Sequence, residues 1–148
     1  MNGSPQIDFY LLAGSDLAQR AQFACRLAEK AFKLGHRIHI HTDDEASATE
    51  LDALLWRFQP TAFVPHTVAA VADAADSGVV IDWRKPASDD GDLLINLTLT
   101  VPTFFAAFQR VAEIVVDSDA LQRALRSNFR HYRDRGLTPT THDLRQHK

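Results

Sequence analysis

With 148 residues, 45% of them hydrophobic, the chain is long enough for one buried core and too short for two ordinary domains. Its 24% charged fraction is that of an ordinary soluble protein, and no apolar run approaches the roughly 18 residues of a membrane span, which excludes a membrane-spanning class. A net charge of −3 argues against a general DNA coat, yet the charge is uneven: residues 118–148 carry seven Lys/Arg against three acids, leaving the rest of the chain strongly acidic.

Residues 1–6 lack a basic segment followed by an apolar stretch, so no secretory signal is read there, and the single cysteine, Cys25, has no disulfide partner. Both features lead us to expect a reducing cytoplasm. Ile7, Phe9, Leu11 and Leu12 predict a strand ending at Gly14, with Ser15 or Asp16 capping a helix. On that helix Leu17, Ala21, Ala24, Ala28, Ala31 and Phe32 share one face, Cys25 sits among alanines as packing, and Gly35 ends the element. Arg37 to His41 alternates as a second strand, and Asp43 or Asp44 caps a helix to about Phe58.

Further strands are expected at Val79 to Trp83 and Leu93 to Leu97, separated by an exposed loop, Arg84 to Asp92. The Ala-rich stretch from Val68 to Ser77 has no readable form, Val101 to Val111 reads as a short helix or turn, and Glu113 to Val116 as a last strand. Ser118 or Asp119 caps a final helix that Gly136 stops. The strand and helix alternation points to a mostly parallel α/β sheet with helices on both faces, a single domain over 1–137, and a loosely ordered polar tail over 138–148.

Such a fold invites nucleotide binding, but the first strand-to-helix turn, Leu12 to Asp16, holds one glycine and no Gly-Lys-Ser/Thr. Asp16 also places a negative charge where a phosphate would sit. No nucleotide or other cofactor is therefore expected. His39, His41 and Asp43 resemble a metal string, since alternate strand residues share a face, and a small metal-dependent α/β hydrolase is the alternative reading. A histidine pair on an edge strand or facing a loop, followed by a helix cap, explains the same letters. No serine lies in a G-x-S-x-G turn, and no nucleophile has a partner set.

Two surfaces suit partners. Ala48, Leu51, Leu55 and Phe58 form the buried stripe of the second helix, and Trp56 lies more than about 90° away, followed by Phe63 and Val64. These are either interface anchors or a satellite core. On the last helix Arg123, Arg126, Arg130 and Arg133 fall within about 80° of one another, Leu121, Leu125 and Tyr132 occupy another face, and Phe129 sits at the border. Guanidiniums beside a ring suit an acidic peptide with an aromatic residue; nucleic-acid phosphate and a merely solvated basic face are the rivals.

The runs Asp8-Phe9-Tyr10-Leu11-Leu12, Leu51-Asp52 with Leu54-Leu55-Trp56, Phe63-Val64-Pro65-His66, Asp92 to Leu97, and Arg130-His131-Tyr132-Arg133 with Gly136 span nearly the whole chain. In that order they resemble the chi subunit family of bacterial DNA polymerase III. The resemblance implies a Rossmann-like fold without nucleotide binding and without catalysis of its own. It further implies pairing with the psi subunit, which joins chi to the clamp loader, and a separate surface for the acidic C-terminal tail of single-stranded-DNA-binding protein. That tail carries aspartates, a proline and a terminal phenylalanine. By the same resemblance Trp56, Phe63 and Val64 match the region that binds psi, or a helicase that replaces it, and Arg126, Phe129 and Arg130 match the tail site. Gln122 stands where the family has lysine and Phe129 where it has tyrosine, so Arg123 or Arg133 would have to supply the missing charge.

Overall fold

The computed structural model describes residues 5–58, 66–68, 78–84 and 91–145, with 55–58 and 66–68 described through their backbone alone. Seven strands run β1 (Gln6–Leu11), β2 (Ile38–His41), β3 (His66–Val68), β4 (Val79–Asp82), β5 (Leu93–Asn96), β6 (Arg110–Val115) and β7 (Thr140–Asp143), with helices α1 (Leu17–Lys33), α2 (Glu45–Phe58) and α3 (Asp119–Asp134) between them. They form one sheet in the order β3-β4-β2-β5-β6-β1-β7, and every neighbouring pair is parallel. Parallel neighbours need crossover connections; α1, α2 and α3 supply those that follow β1, β2 and β6, and residues 97–109 join β5 to β6. The expected parallel α/β architecture with helices on both faces is the one observed.

β1, β5 and β6 deal their side chains alternately to two cores, one on each face of the sheet. Ile38, Ile40, Val79, Ile81, Leu93, Ile95, Ala112 and Ile114 pack beneath α1 and α2, where Ala24, Cys25, Ala28, Ala48 and Leu51 are buried. The small side chains of α1 let its backbone approach the sheet closely. Burial pushes the Cys25 thiol up to about 12, so it is an inert filler, as its alanine neighbours suggest. On the other face Ile7, Phe9, Leu94, Val111 and Val115 meet Phe105, Phe108, Leu121 and Tyr132.

The helix ends follow their sequence signals. Asp16 Oδ1 accepts from the Ala18 amide at 2.9 Å and Ser118 Oγ from the Leu121 amide at 3.2 Å, each satisfying an amide left open at a helix start. Gly136, at φ 82°, turns the chain out of α3 in a conformation that a side chain would strain.

Several boundaries differ from expectation. β6 begins at Arg110 rather than Glu113, and within 101–111 the short helical turn is a 3-10 segment, Phe105–Ala107. β3 lies at residues with no readable alternation. The largest difference is β7: the polar 138–148 segment, expected to be loose, contributes a strand registered on β1, Phe9 opposite Thr141 and Tyr10 opposite His142. Its order comes from contacts with a strand far away in sequence, which local pattern does not carry.

Candidate functional site

An α-helix docked by one stripe leaves its opposite face to solvent. In α3 the docked stripe is Leu121, Asn128 and Tyr132, all buried. Arg123, Arg126, Arg130 and Arg133 stand exposed, as their spacing predicts, and none of the four is in an ion pair among the described residues. Beside them runs an open groove of about 710 Å³, lined by Leu11, Leu125, Arg126, Phe129, Arg130, Arg133, Asp134 and Thr141. Half-buried Phe129 packs its ring on Phe9 at 5.5 Å between centroids, so one side of the ring is fixed by the core. The structure thus brings Arg126, Phe129, Arg130 and Arg133 together around one concavity. Gln122 and Arg123 lie on the same helix outside its lining.

Behind the groove, α3 is tied to the sheet by a polar contact that sequence reading missed. The Tyr132 hydroxyl donates to Glu113 Oε2 at 2.7 Å, and Asn96 Nδ2 donates to both Glu113 oxygens at 3.0 and 3.1 Å. Burial pushes the Glu113 carboxyl up to about 7, against the pull of these hydrogen bonds. The signal was present: Glu113 occupies an inward position between Val111 and Val115, and Asn96 ends an otherwise apolar strand.

A carboxyl held above its ordinary 4.5 favours the fold when protonated. That contribution is whole below about pH 4.5 and is lost as the pH rises to about 7 and beyond. Glu113→Gln removes the titration, so the stability of the variant relative to wild type should rise by about 3 kcal/mol between pH 4.5 and 8. Urea unfolding across that range measures it, and a constant difference would contradict a carboxyl raised by burial.

The histidine string behaves differently from a metal centre. His39 and His41 share a face of β2 with rings 6.0 Å apart and 25° from parallel, each edge-on to Phe104. Imidazole lone pairs lie in the ring plane, so two nearly parallel rings direct them side by side rather than at one ion. Burial, with neighbouring His41, pushes His39 down to about 4, which keeps it neutral at pH 7. Asp43 is exposed at the start of the next connection, and among the described residues no three His, Cys, Asp or Glu side chains gather as a metal site.

At the carboxyl ends of the strands, where parallel α/β folds hold ligands, a crevice of about 360 Å³ is lined by Arg20, Asp43 and Glu50 among others. Arg20 fills the place of a ligand there: its guanidinium donates to the carbonyls of Ile114, Leu97 and Thr98 at 2.8, 2.9 and 3.0 Å. Asp16 caps α1 with its own carboxylate, so the phosphate-binding geometry is absent at this turn. Of the other proposed contacts, Trp56 lies in α2 with its side chain outside the described residues, and Phe63 and Val64 lie outside them altogether. No described helix is long and apolar enough to cross a membrane.

Known proteins match this chain over almost its full length. The family model described as "DNA polymerase III chi subunit, HolC" matches residues 5–140. The chain is 43% identical over 139 residues to the DNA polymerase III subunit chi of Pseudomonas aeruginosa, covering 94% of this chain and 96% of that protein. It is 31% identical over 137 residues to the subunit chi of Haemophilus influenzae, covering 92% and 95%, and 32% identical over 138 residues to that of Escherichia coli, covering 90% and 94%. With matches of this extent, the chain belongs to the DNA polymerase III chi subunit family.

Proposed function

We propose that this chain is a non-catalytic accessory subunit of the bacterial DNA polymerase III holoenzyme, pairing with psi beside the clamp loader and holding the acidic C-terminal tail of single-stranded-DNA-binding protein. The observation that carries the second half is the groove beside α3, where three guanidiniums that make no ion pair among the described residues surround a phenyl ring. Arg126 and Arg130 stand one helical turn apart, a spacing that lets two forks grip neighbouring carboxylates, and Phe129 offers an apolar floor for a terminal phenylalanine. Arg133 supplies positive charge that Gln122 lacks, while Asp134 repels acids and sets which end of the groove takes the carboxylate.

Arg126→Ala should weaken binding of a synthetic tail peptide by about 1.5–3 kcal/mol, the scale of a hydrogen bond to a charged group. Titration calorimetry at fixed salt measures it. Removing the terminal phenylalanine from the peptide should weaken binding as well, because ring and carboxylate are displaced together. Affinity that ignores both changes and follows salt alone would mark a general anion surface and sink the tail reading. For psi the support is sequence likeness at Trp56, Phe63 and Val64, and a helicase taking that surface in place of psi fits the same residues. On this reading contact with nucleic acid is mainly indirect, no cofactor is required, and the work is cytoplasmic.

A further inference from the structure

The groove has a wall that α3 does not supply. Thr141 comes from β7, the last strand of the sheet, and it stands opposite Phe9, the residue on which Phe129 packs. Registered neighbours in a parallel pair project to the same face, so Thr141 enters the concavity from the sheet, on the face that carries Phe9 and Leu11, while the arginines enter it from α3.

β7 has little to hold it. It is four residues long, three of its side chains are exposed, and none of them enters either hydrophobic core. Among the described residues it pairs with β1 alone, at the edge of the sheet. The exception is His142, which projects through to the opposite face. There its Nε2 lies 2.9 Å from Asp8 Oδ1, and its ring stacks on Tyr10 at 4.7 Å and 13°. Asp8 is a firm anchor: it is buried, and its other oxygen accepts from Arg110 Nη2 at 2.9 Å. Despite its burial, hydrogen bonds from His142, Arg110 and Gln6 hold its carboxyl below the usual range.

The same two strands therefore carry both features, with Tyr10 and His142 forming a lock on one face and Leu11 and Thr141 lining the groove on the other. We propose that β7 is the outer wall of the tail-binding groove and that His142 is the positioning residue that holds it there. This rests on the reading of the groove given above.

The test uses the full chain, a synthetic peptide carrying aspartates, a proline and a terminal phenylalanine, and hydrogen exchange read by mass spectrometry. In His142→Ala, exchange over 138–145 should accelerate at least about tenfold with the rest of the chain unchanged, and peptide affinity should fall about five- to tenfold. His142→Gln, whose amide can donate to Asp8, should recover affinity to within about twofold of wild type. Thr141→Glu leaves the lock intact and places a carboxylate on the wall, so exchange should stay at the wild-type rate while affinity falls by at least about fivefold.

An accelerated strand with unchanged affinity would overturn the wall, and would leave the arginine reading standing as long as Arg126→Ala still weakens the peptide. Unaltered exchange in His142→Ala, or a loss that His142→Gln does not recover, would overturn the lock. A wild-type chain that ignores the peptide removes both readings together.

Discussion

Tyr132→Ala should cost about 5 kcal/mol of unfolding free energy, as much as the whole margin of a weakly stable domain. Two losses combine. The ring is fully buried and meets Phe105 at 5.1 Å and Phe9 at 5.9 Å, both edge to face, so truncation opens a cavity lined by aromatics that cannot collapse freely. The hydroxyl is also a donor to buried Glu113, and its removal leaves that carboxyl short of a partner. Tyr132→Phe separates the terms: it keeps the ring and should cost about 1–3 kcal/mol. Urea unfolding with comparison of midpoints and slopes measures both, and a Phe variant as damaged as the Ala variant would show that the hydrogen bond, not the ring, holds α3 to the sheet.

Arg20→Met should cost about 4 kcal/mol, although it retains an apolar stem of similar length. A parallel sheet ends in carbonyls that no strand neighbour satisfies, and here three of them, from Leu97, Thr98 and Ile114, accept from one guanidinium. Removing the donors strands all three at the edge of the core beneath α1. Arg20→Lys should recover less than half of the loss, because an ammonium is a point charge and cannot span two strand ends with fixed directions. Equal stability of Arg20→Lys and wild type, measured by urea unfolding, would contradict the bridging role.

What the sequence showed and hid has a physical pattern. α1 and α3 were legible because caps, glycine stops and apolar stripes are local signals, and the exposed arginine row of α3 follows from spacing alone. The groove's remaining lining was not legible, since Leu11 and Thr141 reach it from strands joined only in the folded sheet. Alternation correctly set His39 and His41 on one face, yet ring orientation, which decides against a shared ion, depends on Phe104. Glu113 was read as part of a strand without its carboxyl being recognised as buried, because an acid amid valines is ambiguous until Tyr132 and Asn96 are known to meet it. Trp56, Phe63 and Val64 rest on sequence likeness alone.

The position of β1 sets the order in which this molecule can assemble. Its flanking strands, β6 and β7, arrive only after a very long excursion of chain, and two of the side chains that bind Asp8, those of Arg110 and His142, are 102 and 134 residues away. Closing loops of that length must precede any gain from the pairing, so β1 waits with both its edges unmatched while β2, β4 and β5 collect beside one another. Folding should consequently be slow for a chain of this size, and its late intermediates should present a bare apolar ribbon to chaperones.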